Sequence, residues 1–253
     1  MAWARQLLRV DLSKGTCATE PLNMEWAQSY LGQRGLATKY FVEEVDPKVD
    51  PLSADNKMIM TTGPLTGTCA STAGRYSVVT KGALTGAIAC SNSGGFFGNE
   101  MKNAGLDMII FEGKAKKPVY LLVENDNAEL IDASEFWGTS VWDTEEGIKK
   151  KHGDPLIRVA SIGVSGEQGV KFACVVNDMD RAAGRSGVGT VMGSKNLKAV
   201  AIRGTKGVAV EDAAKFMDAA NAGKAVLAEN AVTGQGLPAF GTQVLMNVIN
   251  EVG

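Results

Sequence analysis

Single arginines stand inside runs of glycine in two separate stretches of this chain. The first stretch, from Ala73 to Gly98, contains Arg75, and the second, from Arg181 to Gly189, contains Arg185. Glycine lets the backbone approach a ligand closely and present its N–H groups, while an arginine fork pairs bidentately with phosphate or carboxylate. The two stretches together predict one wide site for a large anionic ligand.

Standard phosphate motifs fit these letters poorly. Gly184 to Gly189 has the spacing of a P-loop, but Thr190 stands where that motif requires lysine. A dinucleotide fingerprint over Gly187 to Gly193 should leave a strand directly, whereas polar residues follow the strand that we predict to end near Val176. No Ser, Cys or His occupies a recognisable nucleophile elbow. A ligand held by several separate loops is therefore the better interpretation.

The elements that must position these loops follow from the spacing of apolar residues. We predict strands separated by Gly, Pro or Asn and helices with polar caps. The predicted strands are Gln6–Leu12, Thr16–Pro21, Met58–Thr62, Tyr76–Thr80, Ala87–Cys90, Met108–Glu112, Val119–Glu124, Arg158–Ile162, Val170–Val176 and Ala199–Ile202. The predicted helices are 24–31 capped by Asn23, 36–45, 97–104, 143–153 capped by Asp143, a short one at 188–192, 212–227 and 241–250.

This arrangement puts each candidate loop at the end of a strand. Arg75 begins one predicted strand, Asn92 to Gly95 follows another, and Arg181 to Arg185 lies between two more. Loops of that kind can surround a ligand with several phosphate or heterocyclic groups, and Asn92 can add amide or carbonyl contacts.

Composition excludes several classes of function. The formal net charge is -2 at pH 7 and no long basic run occurs, which argues against a nucleic-acid partner. Neither a signal peptide nor a membrane span is predicted, so we expect a cytoplasmic protein. The four cysteines, Cys17, Cys69, Cys90 and Cys174, form no Cys-x-x-Cys pair. We expect four buried free thiols, and no zinc or iron–sulfur site made by this chain alone.

Longer strings carry a resemblance that extends along essentially the whole chain. They resemble the N-terminal part of the tungsten-containing aldehyde ferredoxin oxidoreductases. The strings are Gly63–Thr68, Gly74–Tyr76 with Val79–Lys81, Asn92–Gly98, Phe111–Ala115, Arg181–Gly189 running on through Val191–Ala199, Gly236–Pro238 and Gly241–Thr242.

The resemblance implies an α+β fold of two β-sheets with flanking helices over residues 1–208. Residues 209–253 would begin a helical domain. In that family a tungsten ion is held by the dithiolene sulfurs of two pterins, whose phosphates are bridged by magnesium. By resemblance Arg75, Gly94, Arg181, Gly184 and Arg185 contact the pterin cofactor, and Asn92 and Ala182 reach the magnesium through backbone oxygens. No catalytic residue is assigned within this chain.

The family's reaction oxidises an aldehyde to a carboxylic acid with water and passes two electrons through a four-iron cluster to ferredoxin. The cysteines that ligate this cluster and the groups that move protons lie beyond the end of this chain. We therefore expect an excerpt of a longer protein, inactive by itself, whose partners are an aldehyde and ferredoxin or another electron-transfer protein. A homodimer, and molybdenum in place of tungsten, stay open.

Two other functions also remain open at this point. The same family includes reductases of aromatic thioesters, which would keep the fold and change the substrate. A non-catalytic interpretation makes the chain a stand-alone binding module with empty glycine loops.

Overall fold

The computed structural model describes residues 2–252, which contain two six-stranded sheets formed one after the other along the chain. The first sheet consists of β1 (Gln6–Asp11), β2 (Thr16–Pro21), β3 (Met58–Thr62), β4 (Tyr76–Lys81), β5 (Ile88–Ser93) and β6 (Met108–Glu112). The second sheet consists of β7 (Val119–Glu124), β8 (Asn127–Asp132), β9 (Arg158–Ser161), β10 (Val175–Asn177), β11 (Arg181–Ala183) and β12 (Leu197–Arg203).

Six helices accompany the sheets in the same compact unit, which comprises the chain up to Thr68 and Ala73–Ala209. They are α1 (Met24–Tyr30), α2 (Gln33–Glu44), α3 (Phe97–Asn103), α4 (Val141–His152), α5 (Val164–Glu167) and α6 (Val188–Ser194). The caps follow the sequence: the Asn23 side chain accepts from the Trp26 N–H at the start of α1, and Gly153 ends α4 in the left-handed conformation.

The strand order brings the two glycine-rich stretches together. The first sheet has the order β2-β1-β6-β3-β4-β5 and the second has the order β11-β10-β9-β12-β7-β8. Strands β5 and β11 are edge strands, and they lie against one another. The β4–β5 hairpin pairs Tyr76 with Ser93 at its open end and Lys81 with Ile88 beside its turn. Its open end is the one next to the candidate loops.

Alternating side chains place the core on both faces of each sheet. Residues such as Met60 and Val78 of the first sheet pack against Leu121 and Val200 of the second. The opposite face of the first sheet packs on α1 and α2, and that of the second packs on α4. The unit is thus a double sheet with α1, α2 and α4 on its outer faces, while α3 and α6 contact both sheets and contribute to the core between them.

The second compact unit comprises Cys69–Thr72 and the chain from Val210 onward. It contains α7 (Ala213–Glu229), a π-helical segment Ala231–Gly236, α8 (Leu237–Phe240), a 3₁₀ segment Gly241–Leu245 and α9 (Met246–Val252). None of the helical residues described in this unit is buried. Over residues 2–252, no helix combines the length and the apolar character needed to cross a bilayer.

The predicted fold class, two sheets with flanking helices followed by a helical end, is confirmed, but some details were wrong. The prediction omitted β8, β11 and α5. Ser140, not Asp143, caps α4, because the Ser140 side chain accepts from the Asp143 N–H. Of the strand predicted over 170–176 only Val175–Asn177 forms, since the preceding residues turn after α5. The expectation of four buried thiols was also wrong: Cys69 is exposed and the other three are half-buried.

Candidate cofactor-binding site

A cavity of about 570 Å³ opens where the edge strands β5 and β11 meet. Ten residues line it: Arg75, Asn92, Ser93, Gly94, Gly95, Phe96, Asp178, Asp180, Arg181 and Ala182. Five of the seven residues predicted for the site are in this set. The other two, Gly184 and Arg185, follow β11 directly and lie outside the lining. The Arg185 N–H donates to Ser91 Oγ of β5 at 2.9 Å, which ties this segment to the same edge.

Hydrogen bonds to its carbonyl hold the Arg75 backbone in place, while its guanidinium forms no ion pair within the described chain. Its carbonyl accepts from Gln33 Nε2 at 3.0 Å and from Thr66 Oγ1 at 3.2 Å. Its Nη1 donates to Asn92 Oδ1 at 2.6 Å, and no carboxylate of the described chain forms an ion pair with it. Asn92 lies inside β5, where we had placed it after a strand. The amide orients the guanidinium without neutralising it.

Among the residues that the structure describes, Arg181 and Arg185 also lack a strong ion pair, so their guanidinium groups are free to bind a ligand. Arg181 Nε lies 3.6 Å from Asp180 Oδ1, but these side chains are 59% and 77% exposed. An ion pair so open to water contributes little, because solvent screens it and two mobile side chains must be ordered. The Arg185 side chain is exposed and has no ion-pair partner within residues 2–252. The edge therefore carries three guanidinium groups whose charge the protein scarcely compensates.

The glycines of the site fall into two kinds. A Cβ added to Gly94 or Gly184 would meet no atom within 4 Å, so these two positions border open space. Gly95 has a φ of +83°, and a Cβ there would overlap the Asp178 carboxylate. Glycine at position 95 is thus required by packing and backbone conformation, whereas at 94 and 184 it keeps space clear at the cavity edge.

A buried asparagine connects the two sheets directly behind the cavity. Asn177 Oδ1 accepts from Tyr76 Oη at 3.1 Å and from Ser93 Oγ at 2.7 Å. Its Nδ2 donates to the Gly94 carbonyl at 3.0 Å and to Asp178 Oδ2 at 2.8 Å. Burial raises the pKa of the Tyr76 phenol well above its usual range, so this donor stays protonated.

Asp178 continues this network into the cavity wall. Its Oδ2 accepts from the N–H groups of Phe96 and Phe97 at 2.7 and 3.2 Å, and its Oδ1 lies 3.4 Å from Arg158 Nη1. These partners occupy both carboxylate oxygens. The sequence prediction gave neither Asn177 nor Asp178 a role, because its only signal there was a polar run after a strand.

The donor set defines what the cavity can bind. It offers the guanidinium groups of Arg75 and Arg181, which suit phosphates, and the exposed carboxylate of Asp180. The lining contains neither cysteine nor histidine. In the described part of the chain, no three His, Cys, Asp or Glu side chains converge as metal ligands. The arginines of this lining suit an anionic ligand, and a soft metal ion would find no thiolate or imidazole ligand among the lining residues.

Comparisons with known proteins show which family the chain belongs to. The chain belongs to the aldehyde ferredoxin oxidoreductase family, since the family model of the aldehyde ferredoxin oxidoreductase N-terminal domain matches residues 7–204. It is 53% identical to the tungsten-containing aldehyde ferredoxin oxidoreductase of Pyrococcus abyssi over 251 residues, which is 99% of this chain and 41% of that protein. The chain thus spans about two fifths of the length of these curated relatives.

Two further matches show how the fold is used elsewhere. The WOR-like subunit of the aliphatic sulfonate oxidoreductase of Pyrococcus furiosus is 37% identical over 81% of this chain and 35% of that subunit. A solved structure of the active-site complex BamBC of benzoyl coenzyme A reductase superposes with a TM-score of 0.87 at 38% identity. That match covers 90% of this chain and 35% of the BamBC chain.

Proposed function

We propose that this chain is the cofactor-docking N-terminal part of an enzyme that oxidises aldehydes to carboxylic acids with ferredoxin as electron acceptor. The observation that carries the proposal is the edge formed by β5 and β11, where Arg75, Arg181 and Arg185 keep their charge largely unpaired beside open glycines. The similarity to tungsten-containing aldehyde ferredoxin oxidoreductases supports the choice of ligand, a tungsten bis-pterin.

Each site residue has a defined task in this proposal. Arg75, Arg181 and Arg185 pair with the phosphates, while Gly94 and Gly184 leave room for the pterin system. The backbone oxygens of Asn92 and Ala182 would hold a magnesium ion beside the phosphates. Residues 1–208 form the cofactor domain, and residues 209–253 begin a helical domain.

The residues present fit that group. When bound, it would supply the two-electron redox chemistry of its tungsten ion. This agrees with a lining without thiol or imidazole ligands. The chain's own contribution is to bind and orient: arginines neutralise phosphate charge, and backbone oxygens suit a hard cation.

Electron transfer to ferredoxin requires parts outside this sequence. The four cysteines lie in different places, and none of them joins a cluster of metal ligands within the described residues. We propose that a four-iron cluster and the groups that move protons belong to the remainder of the protein, whose relatives are much longer than this chain. The 253-residue chain alone should not reduce a dye with aldehyde as electron donor. Such activity would contradict the proposal that the cluster and the proton-moving groups lie outside this sequence.

Elemental analysis of the complete protein tests the docking site. We expect tungsten or molybdenum, magnesium and phosphorus to co-purify with the wild type. In Arg75→Met, which changes an arginine of the cavity lining, the content of all three should fall severalfold, because a bidentate charged contact contributes about 1.5–3 kcal/mol. Arg34→Met, which changes an exposed arginine of α2 outside the cavity lining, is the matched control. Absence of these elements from the wild type would favour a non-catalytic binding module.

A second candidate, reduction of an aromatic thioester, keeps the same docking site. The close structural match to a benzoyl coenzyme A reductase complex favours it as the alternative. The two functions differ in substrate, so the loaded complete protein should be assayed with aromatic and aliphatic aldehydes and with an aromatic coenzyme A thioester. Turnover of the thioester but of no aldehyde would replace our first proposal with the second.

A further inference from the structure

Two strands that carry the proposed cofactor contacts belong to different sheets, so something must fix their separation. Strand β5 and its following loop carry Asn92 and Gly94, whereas β11 carries Arg181 and Ala182. Strands β4 and β5 form a ladder with each other, as do β10 and β11, but β5 and β11 belong to no common ladder. Side chains therefore have to set the distance across the cavity.

Asn177 occupies the position from which this can be done. It is fully buried at the end of β10, and three of its four hydrogen bonds reach the first sheet, at Tyr76, Ser93 and Gly94. A buried amide with both oxygen and nitrogen satisfied has one orientation, because rotation would place donor against donor. The Gly94 carbonyl is thereby fixed relative to β10 and β11.

The turn that follows Asn177 is strained and held from both sides. Asp178 and Met179 have φ values of +48° and +66°, a conformation that costs about 1–3 kcal/mol for each non-glycine residue. The Asp178 carboxylate holds the backbone of Phe96 and Phe97. From α4, Trp142 Nε1 donates to the Met179 carbonyl at 3.1 Å, and Glu145 Oε2 accepts from the Met179 N–H at 3.3 Å.

We infer that Asn177, together with Asp178, is a positioning residue that sets the spacing of the two cofactor loops across the junction of the sheets. This inference rests on the proposed function, because it assigns Asn177 a role in holding a ligand that it does not touch. The strained turn supports it: such a conformation persists only where surrounding contacts over-determine it. The contacts here converge on the two segments that line the cavity.

The chain offers a matched control for this role in Asn56. That side chain is also fully buried, and its Nδ2 donates to the Pro51 carbonyl, Thr80 Oγ1 and the Lys81 carbonyl. It lies at the opposite end of the β4–β5 hairpin, outside the cavity lining. Asn56→Leu and Asn177→Leu should lower the free energy of unfolding by similar amounts. A difference in cofactor retention between the two variants would therefore come from the location of Asn177 beside the cavity, and not from a general loss of stability.

The experiment measures how fast magnesium leaves the complete, cofactor-loaded protein in excess chelator. In Asn177→Leu we expect release about 10- to 100-fold faster than in the wild type, a range taken from the loss of metal affinity when a contact behind the ligands is removed. Asn56→Leu should release magnesium at the wild-type rate. Equal release from the two variants, or an unchanged rate in Asn177→Leu, would overturn the inference.

A milder pair keeps the test valid if a leucine variant does not fold. Tyr76→Phe removes one hydrogen bond to Asn177, and Thr80→Val removes one to Asn56. We expect a severalfold faster release in Tyr76→Phe and no change in Thr80→Val, and equal rates in this pair count against the inference. A wild-type protein that contains no tungsten, magnesium or phosphorus would instead overturn the proposed function itself.

Discussion

Asn56 and Asn177 are both fully buried, and they lie at opposite ends of the β4–β5 hairpin. Around Asn56 the polar groups satisfy one another. Lys195 is also fully buried there, and its ammonium donates to the carbonyls of Asn56 and Gly113, the latter at 3.0 Å. The Lys195 ammonium is therefore surrounded by backbone oxygens and, being fully buried, cannot contact a ligand in solution.

The Asn177 end has the reverse arrangement. The buried amide is satisfied, yet just beyond it the chain places largely unpaired guanidinium groups, open glycines and a strained turn. A buried asparagine therefore serves different purposes beside the two ends of one hairpin. At the Asn56 end it satisfies buried polar groups within the fold. At the Asn177 end it supports the edge of a cavity, where an anionic ligand would neutralise the arginines.

The largest expected difference between the two ends concerns glycine. Gly95→Ala at the cavity end should lower the free energy of unfolding by about 3–5 kcal/mol, since it adds a clash with Asp178 to an unfavourable positive φ. The control is Gly86→Ala, near the hairpin turn: Gly86 has a φ of +68°, and an added Cβ would meet no atom within 4 Å. It should cost only about 1–2 kcal/mol.

Urea unfolding followed by tryptophan fluorescence measures both variants. All four tryptophans lie between residues 3 and 142, so the signal reports on the double-sheet unit. If the two alanine variants are equally stable, Asp178 does not occupy the place beside Gly95 on which the proposed positioning role depends.

The cost at Gly95 also shows what sequence reasoning could and could not predict. The strand Met58–Thr62 was predicted with its observed bounds, because a continuous apolar run between turn residues is a local signal. Strand β8 was missed: its sequence, Asn127–Asp132, has no continuous apolar run, and none of its residues is buried at this sheet edge. The edge strand β2 is also exposed, yet it was predicted with its observed bounds, because Gly15 marks the turn before it.

The candidate site divides in the same way. Arg75, Asn92, Gly94, Arg181 and Ala182 were predicted through motif strings, and the structure brings them into one lining. Asn177 was not predicted, because its partners Tyr76, Ser93 and Gly94 are far away in sequence. An asparagine after a short apolar run is typical of a turn, and only the packing of two sheets reveals it as a buried bridge.

A smaller effect, confined to the Asn56 end, is a pH dependence of the free energy of unfolding. Burial lowers the pKa of the Lys195 ammonium to about 8, from an ordinary value of 10.5. Between these two values the unfolded chain binds more protons than the folded one, so this group makes stability rise with pH. From pH 7 to 9.5 the wild type should gain about 2 kcal/mol relative to Lys195→Met.

The measurement is urea unfolding of both proteins at the two pH values. Taking the difference between wild type and Lys195→Met cancels the titration of groups that the substitution leaves in place. A parallel pH dependence in the two proteins would show that the carbonyls around Lys195 stabilise its charge enough to offset burial. The Asn56 end would then be electrostatically neutral in its effect on stability.

The smallest expected change in stability is the most informative about the cavity. Gly94→Ala and Gly184→Ala each add a methyl group that meets no protein atom within 4 Å, and neither glycine has a positive φ. Both variants should keep the free energy of unfolding within about 0.5 kcal/mol of the wild type. Cofactor content should nevertheless fall, because the methyl groups enter the space that we assign to the ligand. Unchanged tungsten and phosphorus in both variants would mean that the ligand lies farther from this edge than its arginines imply.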